Sequence, residues 1–157
     1  MTSHRASRWT ASNEGRLLAV AGDVCRILAR GEDTDGAFAA FELTVRPGGG
    51  PPPHTHSRED ELFYVASGIV VFTLGSERRQ ACAGTLVLAP RGVRHALRNE
   101  SPDPARLFVQ VTPAGLERFF EQVGQALDDP AQAAPPTIEQ LEKLIALAPQ
   151  FGVEIHG

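Results

Sequence analysis

An all-β fold is the class that this sequence predicts, and two observations support it. The 157 residues include 15 glycines and 12 prolines, which fall between short apolar runs, as in folds with many strands and turns. Those runs are rich in aromatic and β-branched residues, which favour strands. With 42% hydrophobic residues, the chain is also long and apolar enough for one globular domain with a sizeable core.

The N-terminal part predicts an arm followed by two strands. Residues 1–15 are polar and form the arm, ordered from about Trp9, whose large ring needs a surface to cover. Strands follow at 16–21 and 24–29. Gly22-Asp23 between them is a tight-turn signal.

A third strand is predicted at 38–45, after a polar loop at 30–36. Phe41 and Val45 share one face of it by alternation, and Glu42 lies on the other. Glu42 could reach a pocket, but we favour a solvent-facing position because carboxylates are rarely buried. The proline- and glycine-rich segment that follows forms a loop, since proline has no N–H to give to a ladder.

Two histidines at the end of that loop are candidate metal ligands. His54 and His56 are two residues apart, so in a strand both imidazoles point to the same face. Glu61 can fold back beside them if a second strand starts there, and the aromatic and β-branched run 62–65 supplies that strand. Glu59 and Asp60 are rival carboxylates, but spacing and strand phase favour Glu61.

A third histidine follows a later turn. An apolar strand enters the turn Pro90-Arg91-Gly92, and His95 begins the strand that leaves it. Three imidazoles and one carboxylate form a mixed nitrogen and oxygen donor set. Such a set suits a divalent first-row metal and leaves coordination positions open.

These residues resemble the two sequence motifs of the cupin superfamily. The first motif, G-x5-H-x-H-x4-E-x6-G, is met by Gly48, His54, His56, Glu61 and Gly68. The second, G-x5-P-x-G-x2-H-x3-N, is met by Gly84, Pro90, Gly92, His95 and Asn99. The resemblance covers roughly a third of the chain. It implies a double-stranded β-helix, or jelly roll, in which His54, His56, Glu61 and His95 hold one divalent transition metal (Fe, Mn, Ni, Co, Cu or Zn), and it implies a homodimer.

The rest of the chain predicts further strands and then two helices. The strands are at 69–74, 80–82, 86–89, 95–99 and 106–112. Thr112 and Pro113 then start a helix whose apolar face is Leu116, Phe119, Phe120, Val123 and Leu127. A second amphipathic helix begins at Thr137 and ends near Pro149, and the tail 151–157 adds a strand or docking segment. The predicted organisation is an arm (1–15), a barrel (16–112) and a helical extension (113–157) packed outside the barrel.

Charge and cysteine content narrow the possible partners and location. A net charge of −4 does not indicate the excess of basic residues that binds nucleic acid. No stretch reaches the roughly 18 apolar residues of a membrane span, and no apolar segment follows the charged N-terminus, so we expect a cytoplasmic protein without a membrane partner. Cys25 and Cys82 are too few for a disulfide framework and are expected to be free and buried.

A finer resemblance points to a reaction. The segment G-G-G-P-P-P-H-T-H, the second motif in the form P-R-G-V-x-H-A-x-R-N, and the ending V-T-P-A-G-L-E-R-F-F are similar to bacterial quercetin 2,3-dioxygenase-like cupins. That resemblance implies a metal-bound flavonol enolate, ring opening by O2 with release of carbon monoxide, and Glu61 as both ligand and general base. The apolar positions Phe63, Val65 and Leu97 favour an aromatic substrate.

Three other readings remain open: another metal-dependent cupin enzyme, a non-catalytic binding or sensing module, and a storage-type or structural barrel, which fits a metal site poorly. The enzyme could be an isomerase, a decarboxylase or a dioxygenase acting on a small acid. The chain could also bind a small molecule without turnover, because one barrel hosts many chemistries.

Overall fold

Two antiparallel sheets form the core of the structure, which is a computed structural model describing residues 5–157. In chain order the strands and helices are β1 (Leu17–Val20), β2 (Asp23–Ala29), β3 (Ala39–Val45), β4 (His54–His56), β5 (Asp60–Ser67), β6 (Ile69–Leu74), β7 (Glu77–Cys82), β8 (Leu86–Ala89), β9 (His95–Arg98), β10 (Ala105–Thr112), α1 (Leu116–Val123), β11 (Gln125–Leu127), α2 (Ile138–Leu147) and β12 (Val153–Ile155). One sheet has the order β11-β1-β2-β3-β10-β5-β8, and the other β12-β4-β9-β6-β7. This is the double-stranded β-helix with two helices near the C-terminus that the sequence predicts.

The central strand β10 shows how alternation builds the core. Leu107, Val109 and their alternate neighbours are buried between the sheets, whereas Arg106 points outward. Arg106 meets Glu42 of β3 at 2.8 Å on the outer face of the sheet. Glu42 therefore faces solvent, as predicted.

A buried asparagine fixes the turn that precedes β10. Asn99 has no exposed surface, and its amide N–H groups donate to the carbonyl oxygens of Val45 (3.0 Å) and Asp103 (2.7 Å). Its side-chain oxygen accepts hydrogen bonds from the backbone and hydroxyl of Ser101. Every polar group of this side chain is satisfied, which explains why an amide stands at the last position of the second motif.

Strand pairing overrides the helical pattern at both ends of α1. The predicted start at Thr112 and Pro113 is wrong, because Thr112 still pairs with Asp60 in the sheet and the helix begins at Leu116. Leu127 is not helical either. Gly124 ends the helix in an extended conformation, and Leu127 then pairs with Leu17 of β1.

Two side chains are more exposed than predicted. The ring of Trp9 is 93% exposed, and the arm is held instead by Thr10, whose hydroxyl donates to Leu28, and by an ion pair between Arg8 and Asp33. Cys82 is a free thiol but exposed, because it ends the edge strand β7 on the face opposite to buried Ala81. Cys25 is free and buried, as predicted.

The C-terminal extension contributes to both sheets and to the barrel interior. Strand β11 pairs with β1, and β12 pairs with β4, so the tail does add a strand. Phe120 of α1 packs edge-on against Phe41 of β3, with ring centroids 5.1 Å apart. The helices therefore do more than cover the outside of the barrel, because α1 and α2 both form part of the wall of its internal cavity.

Among residues 5–157 there is no helix long and apolar enough to cross a membrane.

Candidate metal centre

Strand β4 presents two imidazoles to the barrel interior. His54 and His56 are both buried, and Thr55 between them points to the other face of the strand. Their ring centroids are 4.9 Å apart. The alternation read from the sequence therefore places this pair as predicted.

Strand β9 of the same sheet and strand β5 of the other sheet bring the other two predicted side chains to the same point. His95 opens β9 and is directly opposite His54 in the register, while Glu61 is the second residue of β5. The ligand atoms of His54, His56, Glu61 and His95 all lie within 4.8 Å of one another, and all four residues are buried. These four residues, here called the histidine-glutamate cluster, could hold a metal ion.

The backbone sets which ring nitrogen is available for a metal. Nδ1 of His54 lies 2.8 Å from the Pro52 carbonyl, and Nδ1 of His95 lies 3.0 Å from the Val93 carbonyl. A carbonyl oxygen can only accept, so both Nδ1 atoms carry the proton and donate it. In the neutral rings Nε2 then presents a lone pair, as a metal ligand requires.

The contacts of Glu61 fit a cation at the centre of the cluster. Its Oε2 lies 2.9 Å from Nε2 of His95 and 3.2 Å from Nε2 of His56. A lone pair and a carboxylate oxygen at these distances repel each other unless a positive charge lies between them, either a proton or a metal ion. His56 Nε2 is also buried without an aligned hydrogen bond in the described structure. The donor set and its geometry therefore fit a divalent metal.

The two rival carboxylates have other positions. Glu59 is buried behind His56, with Oε2 3.4 Å from Nδ1, the nitrogen that points away from Glu61. Asp60 is on the surface, where it accepts hydrogen bonds from the backbone and side chain of Arg91. The cluster thus includes Glu61 rather than either neighbour.

Burial and charge give the members of the cluster different acidities. Burial, together with the charge of neighbouring His95, lowers the pKa of His54 to about 4. Burial also opposes charge on His56, but Glu59 and Glu61 outweigh it and raise the pKa of His56 to about 9. Burial alone would raise the pKa of Glu61, yet contacts with His56 and His95 hold it well below its usual range.

An apolar cavity of about 110 Å³ opens onto the cluster. Four phenylalanines from β3, β5 and α1 contribute to its wall, namely Phe41, Phe63, Phe119 and Phe120. Aliphatic side chains from the C-terminal extension complete it, namely Leu116, Leu144, Val153 and Ile155. Asp23 and Glu61 are the carboxylates in the wall, and within the described chain no arginine or lysine lines it.

Comparison with known proteins agrees with this architecture. Residues 41–111 match the family described as "Cupin domain". This part of the chain is therefore similar to a cupin domain. This match spans the four predicted ligands and the two sequence motifs that carry them.

Individual relatives share parts of the chain. The tetracenomycin polyketide synthase protein TcmJ of Streptomyces glaucescens is 28% identical over 106 residues, which cover 66% of this chain and 70% of that protein. The chain spans less than two thirds of the length of three further curated relatives. KdgF from Halomonas sp. superposes with a TM-score of 0.63 at 20% identity over 72% of this chain and 99% of that one. A predicted oxalate decarboxylase from Thermotoga maritima superposes with a TM-score of 0.60 at 19% identity, over 68% and 99% respectively. At these identities the structures support the shared cupin fold.

Sequence reasoning missed two features of the site. It treats Glu59 only as a rival ligand, although a carboxylate three residues after a histidine can return to that histidine across a turn. The contribution of the C-terminal extension to the cavity wall was also missed. The apolar faces of α1 and α2 indicate burial without indicating the surface against which they pack.

Proposed function

We propose that this chain is a metal-dependent enzyme that opens a flavonol-like or other aromatic, enolisable compound with O2. The observation that carries the proposal is the direct opening of the histidine-glutamate cluster into an apolar cavity with an aromatic wall. A metal held by the four side chains would lower the pKa of a hydroxyl bound to it and so favour the enolate.

The residues of the chain have separate tasks in this proposal. The three Nε2 atoms would hold the metal, and the carbonyl oxygens of Pro52 and Val93 keep two of the rings in the required tautomer. Glu61 directs Oε2 at His56 and His95, which leaves Oε1 to accept the hydroxyl proton of the substrate. Because the pKa of Glu61 is strongly lowered, Glu61 can accept this proton only if the pKa of the substrate hydroxyl is lowered as well, as binding to the metal would do.

The cavity wall favours an aromatic substrate over a small diacid or a sugar. Rings such as Phe63 and Phe41 offer apolar contact and exclude water, but no arginine or lysine in the described wall could pair with a second carboxylate.

A small-acid decarboxylase or an isomerase is the second candidate. It is favoured by the likeness of the barrel to a structure called a predicted oxalate decarboxylase, and the histidine-glutamate cluster would serve either chemistry. The two candidates differ in what the cavity must bind, which is an apolar ring in the first and a compact anion in the second.

We further infer that the enzyme is a cytoplasmic homodimer. Leu86 and Leu88 on edge strand β8 are more than half exposed, and Tyr64 is directly opposite Leu86 on the same outer face. An edge strand with this apolar surface is suited to a second copy of the chain. The free thiols are consistent with a reducing compartment. Light scattering of wild type and Leu88→Glu should show a dimer and a monomer respectively.

Oxygen uptake with quercetin tests the proposed reaction. The protein would be loaded separately with each candidate metal, and O2 consumption and carbon monoxide release would be followed. Glu61→Gln at equal metal occupancy should be slower by about 10²- to 10⁴-fold if Glu61 is the base. Equal rates would refute the base assignment. Turnover of oxalate but of no flavonol or related phenol would favour the second candidate.

A further inference from the structure

The strand that carries two of the candidate ligands depends on the C-terminal strand for its pairing. Strand β4 has three residues and pairs with β9 only through His54 and His95. On its other edge, all three residues of β4 pair with β12. The last strand of the chain is therefore the main partner of the strand that presents His54 and His56.

Side-chain and backbone contacts strengthen this pairing next to the ligands. Thr55, which lies between the two histidines, shares a hydrogen bond of 2.8 Å with Nε2 of His156. The backbone N–H of His156 donates to the Pro53 carbonyl at 2.8 Å, just before His54. At the other end, the backbone N–H and the hydroxyl of Ser57 donate to the Gly152 carbonyl at 2.8 and 3.1 Å, just after His56.

The same C-terminal strand also reaches the cavity and α1. In the register Val153 is opposite His56, and Ile155 is opposite His54, and both apolar side chains line the cavity beside the ligands. Phe151, two residues before β12, stacks on Phe119 of α1 with ring centroids 5.2 Å apart. The segment 151–155 thus pairs with β4, forms part of the cavity wall and contacts α1.

We propose that strand β12, secured by the Thr55–His156 hydrogen bond, positions His54 and His56 for metal binding. His156 is a positioning residue in this scheme, since it contacts the face of β4 opposite to the ligands. The inference rests on the metal site required by the proposed function, but not on the reaction or its substrate. It applies equally to a dioxygenase, a decarboxylase or a binding protein.

Metal affinity measured by competition with a chelator tests this inference, with Co²⁺ and Zn²⁺ as probes. His156→Ala and Thr55→Val should each weaken binding by about 3- to 10-fold, because each removes one hydrogen bond that orders the ligand strand. The double variant should be no weaker than either single variant, since both changes remove the same bond. The visible absorption of bound Co²⁺ should shift in all three, because it reports ligand geometry.

Arg106→Ala is the matched control. It removes a contact between β10 and β3 on the outer face of the other sheet, and it should leave both affinity and spectrum unchanged. Conservative His156→Asn, which retains a side-chain hydrogen-bonding group, should recover part of the lost affinity. Melting temperatures of the metal-free variants would identify any that fail to fold, and Thr55→Ser then keeps a hydroxyl as a further folded comparison.

The outcomes separate this inference from the proposed function. If wild type binds no metal, both are overturned. If wild type binds metal but the His156 and Thr55 variants match it in affinity and spectrum, the positioning role is overturned and the metal site stands. Additive losses in the double variant would also contradict the role, because they would indicate two independent effects.

Discussion

The carboxylate of Glu59 lies 3.4 Å from Nδ1 of His56, on the edge of the ring opposite to Glu61. His56 is thus held between two buried carboxylates, with Glu61 3.2 Å from Nε2. Both carboxylates favour the protonated imidazole, and together they outweigh the cost of burying its charge. This arrangement gives His56 a higher pKa than its neighbours, with consequences for metal binding.

Metal binding should release a proton from His56 at neutral pH. Its pKa of about 9 keeps the metal-free imidazole protonated at pH 7, and ligation requires the neutral ring. Affinity should therefore keep rising up to about pH 9 instead of levelling off near 6.5, the ordinary histidine value. Calorimetry at pH 7.5 in two buffers with different ionisation enthalpies would measure about one proton released per metal. Release close to zero would show that His56 is already neutral.

Glu59→Gln should weaken metal binding while leaving the four ligands in place. A carboxylate behind a ligating imidazole raises its basicity and fixes its orientation, and loss of such a partner typically costs about 10- to 100-fold in affinity. Asp60→Asn is the matched control, since this neighbouring carboxylate pairs with Arg91 on the surface. Chelator competition on both variants gives the comparison. Equal losses of metal affinity in the two variants would mean that Glu59 and Asp60 act only through their negative charge.

The metal-free protein should be most stable near pH 6.5. The pKa of His54 falls from 6.5 to about 4 on folding, so the free energy of unfolding decreases as the pH drops from 6.5 to 4. The decrease reaches about 3 kcal/mol at pH 4. The pKa of His56 rises to about 9 on folding, so protonated His56 stabilises the fold fully below pH 6.5. This stabilisation is lost as the pH rises towards 9. Urea unfolding with a chelator present, from pH 4 to 9, would measure the maximum. A steady rise in stability up to pH 9 would contradict it.

Asn99→Asp should destabilise the fold even though it changes a single atom. The carboxylate would face the carbonyl oxygens of Val45 and Asp103, to which the amide now donates, in a fully buried position. A buried charge without a partner costs about 3 to 5 kcal/mol. The loss in denaturant unfolding should be smaller at low pH, where a protonated acid can donate. Asn13→Asp on the exposed arm is the control and should change stability by less than about 0.5 kcal/mol.

Strand alternation explains why the histidine-glutamate cluster could be predicted from the sequence. The interval of two between His54 and His56 sets a common face regardless of the rest of the fold, and Glu61 begins a strand with an evident β pattern. The position of His95 relative to them depends on strand order, which the motif resemblance supplied and local propensity did not.

Other features depended on tertiary contacts that the local pattern does not contain. Leu127 has helical spacing, but β1 offers an open edge and Gly124 ends the helix, so sheet pairing determines its conformation. The exposure of Cys82 follows from its strand lying at the edge of the sheet, and strand order cannot be read from an apolar run. The place of α1 and α2 in the cavity wall likewise required the whole fold.

Phe120→Ala should shift substrate preference towards larger ring systems. The Phe120 ring lines the cavity and packs edge-on against Phe41, so its removal lengthens the cavity on the side of the C-terminal extension. The ratio of kcat/KM for a three-ring flavonol to that for a one-ring phenol should then rise about tenfold, the scale of effect that pocket contacts of this size produce. Phe108→Ala on the outer face of β10 removes an equal ring away from the cavity, and it should leave the ratio unchanged. An unchanged ratio in Phe120→Ala, with metal affinity and folding intact, would show that the substrate does not reach this wall.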